Sequence, residues 1–441
     1  MSRVVCKFGG TSVADAGQFR RVRAILEDDS RRRIIVPSAP GKRAKAEAKI
    51  TDLLYVCYDM AAVKANFSQP FEEIRTRYLD IARELSLVTD LDRRFDALFD
   101  QLKRGTTRDY AASRGEYFNG LLFAAYLDAE FIDPQEYITI LPTGIVDPST
   151  YATLGTRLAD LDRTYVVPGF YGRDRQGNVK TFSRGGSDIS GAIVARSINA
   201  ELYENWTDVS GFLMADPRIV TNPNPMQEVT YREIRELSYM GANVFHDEAI
   251  VPVIEASIPI CIKNTNNPQH PGTRIVPKLS DDANKTTEIA GIAGKKGFSM
   301  ICIEKSLMNK ELGFAYRLLG IMEGRGISVE HCPSSIDGIN IIVESKYLQD
   351  CSESVLDEIR RVLQPDSVTL EGELALIAVV GEGMTHSIGI AAKVFAALRD
   401  ANVNVRVINQ GASELNIIVG VVPEDFERAL RAIYSAFVKP N

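Results

Sequence analysis

Three short turns in the first half of the sequence carry residue types suited to binding and transferring phosphate. The first, KFGGTS, runs from Lys7 to Ser12. Its two glycines would let backbone N–H groups approach a phosphate closely, and its lysine would supply a fixed positive charge. The same letters also suit a plain strand-to-helix turn in which a hydroxyl caps the helix, so this turn alone leaves both interpretations open.

The second turn, SRGGSD, runs from Ser183 to Asp188 and precedes a stretch of small residues. A glycine turn at a helix N-terminus is a natural seat for an anion. Arg184 could hold a carboxylate through two parallel hydrogen bonds, while Asp188 could hold an ammonium group or orient Lys7. Alternatively, Ser187 or Asp188 caps the helix without any ligand.

The third turn, TDVSG, begins at Thr207 and is followed by Asp216-Pro-Arg218. Thr207 and Asp208 could hydrogen-bond a nucleotide, and Arg218 could meet its phosphates. The alternative is a surface turn with a structural pair between Arg218 and Asp216.

Alternating strands and helices must position these turns. Short apolar runs predict strands at 4–8, 33–37, 138–141, 164–168 and around Val179, and helical patterns cover 17–28, most of 51–130 and 190–197. Such alternation predicts a layered α/β domain with a mainly parallel sheet. Ligands of such sheets bind at the carboxyl ends of strands, where all three turns fall.

The last third of the sequence contains an internal repeat. Gly313, Gly326 and Asn340 open segments that recur 76 residues later at Gly389, Asn402 and Asn416. A constant offset indicates two copies of one unit. Each copy has the pattern strand, helix, strand, strand, helix, with a short closing strand at 367–370 in the first, which predicts two ferredoxin-like βαββαβ domains.

The ordered motifs resemble those of the aspartate kinase branch of the amino-acid kinase family with C-terminal tandem ACT domains. The resemblance rests on KFGGTS, RGGSD, TDVSG and DPR in this order, on Met240-Gly-Ala and Pro271-Gly-Thr, and on the paired repeat, and it covers essentially the whole chain. It implies a three-layer αβα kinase domain with a mainly parallel central sheet over 1–285. Two ACT domains are expected over 298–370 and 374–438, with 288–297 contributing a strand to the second.

The resemblance also implies ATP as co-substrate, L-aspartate as phosphate acceptor, and Mg²⁺ carried mainly by the nucleotide phosphates with no dedicated protein metal site. The implied catalytic residues are Lys7, Gly10 and Asp188. The implied aspartate-binding residues are Ser38, Thr51, Glu116, Arg184 and Ser187, with Glu116 on the ammonium and Arg184 on the α-carboxylate. The implied ATP-binding residues are Lys7, Gly9, Gly10, Thr11, Ser12, Thr207, Asp208, Arg218, Lys263 and Asn264.

Three positions depart from the family pattern near the nucleotide. Ser183 stands where relatives often have Gly, Leu213 where they often have Tyr, and Asn266 where some carry a phosphate-facing Lys. We expect Lys263 to compensate for Asn266. Without the family, Glu116 would be interpreted as a solvated helix residue.

An amino-acid effector is expected between ACT units, with lysine the first choice and threonine the next. The implied effector-binding residues are Met308, Gly313, Phe314, Ser328, Val329, Glu330 and Ser335. The alternative is that Met308 and Phe314 pack a helix and Glu330 is solvated. A homodimer or homotetramer through the ACT units is expected.

Composition excludes several other classes. A formal net charge of −7 argues against a general nucleic-acid partner, and no apolar stretch is long enough for a membrane. The six cysteines form no C-x-x-C pair, which argues against a zinc site. Several lie in apolar runs, which favours reduced thiols in a cytoplasmic protein. Aspartate's carboxylate is already ionised at neutral pH, so the absence of His from the three turns suits the chemistry.

Two other functions stay open at this point. One is an amino-acid kinase for a different acidic substrate, such as glutamate. The other is a catalytically silent ACT sensor, against which the intact Lys7, Arg184 and Asp188 argue.

Overall fold

The computed structural model describes residues 3–160, 162–183, 185–242, 250–280 and 288–438. They form two compact units. The first unit contains the described residues up to Phe212 together with Gln227–Tyr231 and 250–279, and the second contains Leu213–Met226, 232–242, 280 and 288–438.

The strands and helices are numbered along the chain. The strands are β1 Val4–Phe8, β2 Arg32–Pro37, β3 Glu130–Phe131, β4 Tyr165–Val166, β5 Tyr171–Arg173, β6 Val179–Thr181, β7 Leu202–Thr207, β8 Glu228–Thr230, β9 Ile260–Asn264, β10 Thr273–Val276, β11 Gly291–Glu304, β12 Gly338–Glu344, β13 Ser367–Val380, β14 Val407–Asn409 and β15 Asn416–Val421. The helices are α1 Ala16–Glu27, α2 Ile50–Ala62, α3 Ser68–Glu84, α4 Leu91–Arg104, α5 Arg108–Leu127, α6 Pro134–Tyr137, α7 Ser149–Arg157, α8 Gly186–Ser197, α9 Tyr231–Tyr239, α10 Val251–Glu255, α11 Phe314–Gly324, α12 Ser352–Leu363, α13 Ile390–Asp400 and α14 Phe426–Phe437.

A mainly parallel sheet organises the first unit, as the sequence predicted. Its strand order is β3-β4-β2-β1-β7-β9-β10-β8, and every neighbouring pair is parallel except β9 and β10. All five residues of β1 are buried, as is usual for a strand covered on both faces. In register, Lys7 lies opposite Val36 of β2 and Asn205 of β7. The carboxyl ends of these three strands therefore meet at one edge.

Small residues set the contact between α8 and the sheet. The segment from Ser190 to Ala195 is buried in α8. A Cβ on Gly191 would lie 2.5 Å from the Tyr203 hydroxyl of β7. Because no side chain fits there, glycine lets α8 pack close to the strand and fixes the height of its first turn above the sheet.

The predicted strand at 138–141 is wrong. Thr139 and Ile140 make only isolated bridges, to Arg173 and Val146. The apolar alternation that suggested a strand instead reflects burial of Ile138 and Ile140 in a loop. The strand predicted around Val179 exists as β6, but it pairs with β5 in a separate two-stranded sheet.

The second unit is built on a five-stranded antiparallel sheet, ordered β12-β11-β13-β15-β14. Strands β11 and β13 each run for 14 residues and serve both copies of the repeat. The 291–296 half of β11 pairs with 375–380 of β13, and the half from Phe298 to Glu304 pairs with the segment from Ser367 to Leu374. Helices α11 and α12 cover one copy, and α13 and α14 cover the other, each over its own core.

The second strand that the repeat pattern predicts is absent from the described residues of the first copy. At the offset of 76 residues, β14 of the second copy corresponds to 331–333 of the first, where His331 and the nearby Ser334 form isolated bridges. Pro333 lies between the two bridges and has no N–H to donate, which interrupts the ladder.

No helix within the described ranges is long and apolar enough to cross a bilayer. All six cysteines are free, and Cys6, Cys57 and Cys261 are buried.

Candidate active site

A buried lysine at the end of β1 is the centre of the site. Lys7 is only 7% exposed. Its Nζ lies 2.5 Å from Asp188 Oδ1 and donates a hydrogen bond of 3.3 Å to Asn205 Oδ1. Asn205 Nδ2 in turn donates to Asp188 Oδ1 at 2.9 Å. The three side chains form a closed triangle, so the ammonium group has a fixed position.

Asp188 reaches Lys7 from the first turn of α8. Gly185 precedes this helix in the left-handed conformation with φ of 58°, and its carbonyl accepts the Asp188 N–H at 2.8 Å. The Tyr203 hydroxyl donates to the Asp188 carbonyl at 3.0 Å. The turn and strand β7 thus both hold the Asp188 backbone, and the structure brings Lys7 and Asp188 together as the sequence analysis expected.

Asn205 was missed by the sequence analysis. It is 5% exposed and occupies the middle of β7, a strand otherwise dominated by buried side chains. A buried amide in such a strand needs partners, which was a usable signal. What it could not reveal was the register that sets Asn205 opposite Lys7.

The two glycines of the first turn have different roles. The Gly9 N–H already donates to the Trp206 carbonyl at 2.9 Å, which corrects the expectation that it is offered to phosphate. Gly10 and Thr11 open a short 3₁₀ helix, whose first N–H groups have no partner inside the helix. The donor role toward phosphate therefore stays a prediction for Gly10.

Gly10 is also in close contact with Gly41, in the loop that follows β2. The Gly41 N–H donates to the Gly10 carbonyl at 2.8 Å, and a Cβ on Gly41 would lie 2.5 Å from the Gly10 carbonyl carbon. Two bare backbones are needed for this approach. This contact joins the turn from Lys7 to Ser12 to the loop that follows β2.

The hydroxyls of Thr11 and Ser12 point to different surroundings. Thr11 is exposed, whereas Ser12 is 2% exposed and accepts a hydrogen bond of 2.7 Å from Thr265. The Ser12 hydroxyl is therefore enclosed against the loop after β9. It stabilises the turn and is not exposed on its surface.

A buried arginine, also missed from the sequence, holds the 41–48 loop. Arg77 of α3 is 3% exposed. Its guanidinium donates to the carbonyls of Gly41 and Ala48, the latter at 3.2 Å. Both ends of the loop are therefore fixed to one side chain, whose pKa is lowered by burial.

The expected aspartate-binding residues surround the segment after β2. Ser38 is half-buried, and its carbonyl accepts a hydrogen bond of 2.6 Å from Asn119 Nδ2. Thr51 is half-buried in the first turn of α2. Glu116 of α5 is 5% exposed, which contradicts the interpretation as a solvated residue.

The Glu116 carboxyl is held in an apolar surrounding. Burial raises its pKa to about 8, although the Ala39 N–H opposes the rise by donating to it. Its Oε2 atom has no hydrogen-bond partner among the described residues. A carboxyl with an unpaired buried oxygen is suited to receiving a cationic group.

Arg184 and Ser187 are the other two residues expected to bind the substrate. Arg184 lies outside the described residues. Ser187 is half-buried in the first turn of α8 and packs tightly against Gly169. A Cβ atom on Gly169 would lie 2.7 Å from the Ser187 hydroxyl.

The expected ATP-binding residues of the first unit lie on the neighbouring strand ends of β7 and β9. Thr207 lies opposite Asn264 in register, and its hydroxyl donates to Asp208 at 3.2 Å. Asn264 Nδ2 donates to Ser210 at 2.9 Å, and Lys263 Nζ lies 5.2 Å from the Trp206 ring centroid. In the sheet, β7 lies next to β1, and β9 lies next to β7.

Two other positions near the expected nucleotide contacts have their own partners. Arg218 belongs to the second unit, where it is 84% exposed and pairs with Asp216 at 2.6 Å, as the alternative interpretation expected. The Asn266 side chain accepts hydrogen bonds from Arg21 and Gln18 of α1.

The expected effector residues lie in the second unit. Phe314 is 4% exposed within the core of the first copy, so its packing role is met, and Met308 packs against the same core. Glu330 accepts a hydrogen bond from Tyr239 of α9. The Ser335 N–H closes a turn on Gly338 at 2.7 Å.

The other expected effector residues divide between exposed and partly buried positions. Gly313 directly precedes α11 and has a φ of 76°. Ser328 is exposed, and Val329 is half-buried.

The described groups around Lys7 can neutralise and position anions. They comprise a lysine, carboxylates, amides and hydroxyls on the ends of parallel strands and the start of a helix. Within the described ranges no group of three His, Cys, Asp or Glu side chains could hold a metal ion. The lysine, amides and hydroxyls of this set are suited to holding a phosphate group during its transfer.

Comparison with known proteins gives a consistent result. The sequence model of the amino acid kinase family matches residues 2–264, and that of an ACT domain matches 377–437. Aspartokinase 3 of Bacillus subtilis is 41% identical over 98% of both chains. The crystal structure of Clostridium acetobutylicum aspartate kinase matches with a TM-score of 0.92 and 47% identity, covering 99% of this chain and 100% of that one.

A more distant match is E. coli aspartokinase III, at 25% identity in two crystal structures. Its complex with aspartate and ADP, an R-state, gives a TM-score of 0.72 and covers 98% of this chain and 99% of that one. Its complex with lysine and aspartate, a T-state, gives 0.74 and covers 99% and 100%.

Proposed function

Because this chain belongs to the amino acid kinase family and, within it, to the aspartate kinases, we propose that it transfers the γ-phosphate of ATP to the side-chain carboxylate of L-aspartate, forming 4-phospho-L-aspartate. The observation that carries this proposal is the triangle of Lys7, Asp188 and Asn205 at the carboxyl ends of the central strands. The E. coli relative crystallised with aspartate and ADP supports the choice of both substrates.

In this reaction an anionic carboxylate attacks an anionic phosphate, so charge repulsion forms much of the barrier. The aspartate carboxylate is ionised near neutral pH and needs no base. Lys7 lowers the barrier by holding a positive charge against the transferring phosphate, while Asp188 and Asn205 keep that charge in place. The Gly10 N–H contributes a further donor. Mg²⁺, held mainly by phosphates and water, would neutralise the nucleotide's charge.

The aspartate pocket is assigned to the segment after β2 and to α5 and α8. Ser38, Thr51 and Ser187 line it, Glu116 takes the ammonium group and Arg184 takes the α-carboxylate. The unpaired Glu116 Oε2 supports its part of this assignment. ATP is assigned to Gly10, Thr11, Thr207, Asp208, Arg218, Lys263 and Asn264, with Gly9 and Ser12 shaping the turn.

The regulatory half is assigned to two ACT domains, at 298–370 and 374–438, with 288–297 completing the second. We propose feedback inhibition by an amino acid, lysine first and threonine next, because the E. coli relative was crystallised with lysine in a T-state. The reaction would then open the biosynthesis of lysine, threonine and methionine. A homodimer or homotetramer through the ACT domains and a cytoplasmic location, suggested by six free cysteines, complete the proposal.

A different acidic substrate is the main alternative, and a silent sensor is the second. The intact, closed triangle around Lys7 favours a working kinase over a sensor. Aspartate and glutamate differ by one methylene group, so only an assay separates them.

The test is ADP formation from MgATP with aspartate or glutamate, trapping the acyl phosphate with hydroxylamine, with and without lysine or threonine. We expect turnover on aspartate that lysine suppresses. Turnover on glutamate alone would replace the substrate, and folded protein without turnover on either acid would support the sensor. Turnover that no amino acid suppresses would leave the kinase and remove the proposed effector.

A further inference from the structure

Two buried oxygen atoms on one face of α5 lack hydrogen-bond donors. They are Glu116 Oε2 and Asn119 Oδ1, neither of which has a partner among the described residues. Glu116 is 5% exposed and Asn119 is 0% exposed. Residues three apart on a helix are neighbours on its surface, so the two side chains lie side by side.

The backbone after β2 holds both side chains. Asn119 Nδ2 donates to the Ser38 carbonyl at 2.6 Å, which leaves Oδ1 as the free end of the amide. The next residue, Ala39, donates its N–H to the Glu116 carboxyl. Because consecutive residues bind the two side chains, the carboxyl and the amide are directed to the same small region.

Two neighbouring buried acceptors without a donor would be costly, because each unsatisfied acceptor costs about 1–3 kcal/mol. A single proton removes both deficits, since a protonated carboxyl becomes an O–H donor and an amide oxygen accepts it. The raised pKa of Glu116, about 8 through burial, agrees with a neutral carboxyl near pH 7.

The titratable neighbours do not supply a donor in its place. Tyr78 of α3 faces Glu116, but its hydroxyl donates to the Gly115 carbonyl at 2.7 Å. Burial raises the pKa of Tyr55 in α2. The charges of Glu116, Asp52 and Asp109 raise this pKa further, whereas the charge of Arg108 in α5 lowers it. The Arg108 guanidinium lies 3.9 Å from the Tyr55 ring centroid.

Arg77 of α3 contributes a positive charge close to Tyr78. Its guanidinium donates to the Gly41 and Ala48 carbonyls.

We propose that Glu116 Oε2 and Asn119 Oδ1 share one proton in the free protein, and that the ammonium group of aspartate displaces it on binding. The Glu116 O–H bond breaks, the proton passes to solvent, and the carboxylate and the amide oxygen then accept N–H hydrogen bonds from the ammonium. Both oxygens are buried, so the backbone at Ser38 and Ala39 shifts to admit the group. This inference rests on aspartate being the substrate.

The test is calorimetric titration of the full chain with aspartate, near pH 6.5, in two buffers that differ in ionisation enthalpy. Succinate, which has both carboxylates and no ammonium group, is the matched ligand. We expect close to one proton released per aspartate bound and none per succinate. Aspartate binding without proton release would overturn the inference, whereas absence of aspartate binding and turnover would overturn the proposed function.

The part played by Asn119 is tested by Asn119→Leu, which keeps the volume and removes the acceptor. The preference for aspartate over succinate is measured as the ratio of the succinate inhibition constant to the aspartate KM. We expect this ratio to fall on the order of tenfold. Phe118→Leu, at a buried apolar position of the same helix, should leave that preference unchanged. A folded Asn119→Leu protein with the wild-type preference would overturn this part. If it does not fold, Asn119→Ala is measured in the same way.

Discussion

Asn205 lies directly opposite Lys7 in the parallel register of β7 and β1, and its amide bonds to both members of the ion pair between Lys7 and Asp188. A lysine side chain has four rotatable bonds, and an ion pair alone fixes only the distance between its Nζ atom and one carboxylate. The second contact fixes its direction. The position of the charge therefore depends on strand register as well as on the two charged residues.

Replacing Lys7 by Met should lower kcat by about two to three orders of magnitude while the protein still folds. The substitution removes the positive charge that we assign to the transferring phosphate, and methionine retains most of the side-chain volume. Steady-state kinetics and circular dichroism measure the two effects. Lys64→Met, at an exposed lysine, is the control. A kcat close to wild type would remove Lys7 from the mechanism.

Asn205→Leu should lower kcat by about tenfold with little change in the KM for ATP, because the charge stays but its position is less well defined. Ile262→Val, at the β9 residue paired with Asn205, is the control for disturbance of the strand. Equal losses of kcat in both variants would show that the effect comes from packing.

Glu116→Gln should change how stability depends on pH. The folded protein holds the Glu116 proton up to a pKa of about 8, against an ordinary value of 4.5, so the folded state binds more protons in this window. The contribution of the Glu116 proton to the free energy of unfolding is fully present below about pH 4.5. It decreases as pH rises to about 8, by at most about 1.4 kcal/mol per pH unit. Gln does not titrate.

The free energy of unfolding in urea, measured for both proteins at several pH values, tests this. We expect the variant to gain on the wild type as pH rises from about 5 to about 8. A constant difference over that range would mean that Glu116 ionises normally.

Gly41→Ala should destabilise the first unit by about 1–3 kcal/mol and lower kcat, because the added Cβ would lie 2.5 Å from the Gly10 backbone, which cannot rotate aside. Gly320→Ala is the matched control, since a Cβ there meets nothing within 4 Å and lies inside α11. We expect that variant to gain up to about 1 kcal/mol. Thermal melts and steady-state kinetics report both, and equal behaviour of the two variants would disprove the contact.

The fold was predictable where hydrophobic patterns were long or followed by glycine. The predicted strands at 4–8 and 33–37 and the predicted helices at 17–28 and 190–197 are confirmed. The pattern failed at 138–141, because alternation reports burial on one side and a buried loop satisfies it equally well. It failed again after α11, where the repeat pattern predicted a strand but Pro333 interrupts the ladder.

The site was predictable only in part. Lys7 and Asp188 belong to motifs that can be recognised locally, and the structure brings them together. Asn205, Asn119 and Arg77 lie in unremarkable helix and strand patterns, and their roles arise from side chains that meet across the fold. No local pattern distinguishes a buried Arg that binds two carbonyls from an exposed one.

The sharing of β11 and β13 also has a consequence for how the chain matures. The first half of β11 is synthesised before the whole first copy of the repeat, yet it pairs with the half of β13 that belongs to the second copy. The second copy therefore stays incomplete until the chain returns to residues made much earlier. Such long-range closure is slow, since loop entropy is lost before contacts form. This half of the sheet should therefore order late in folding, and a ligand of either copy would act on a sheet that neither copy can form alone.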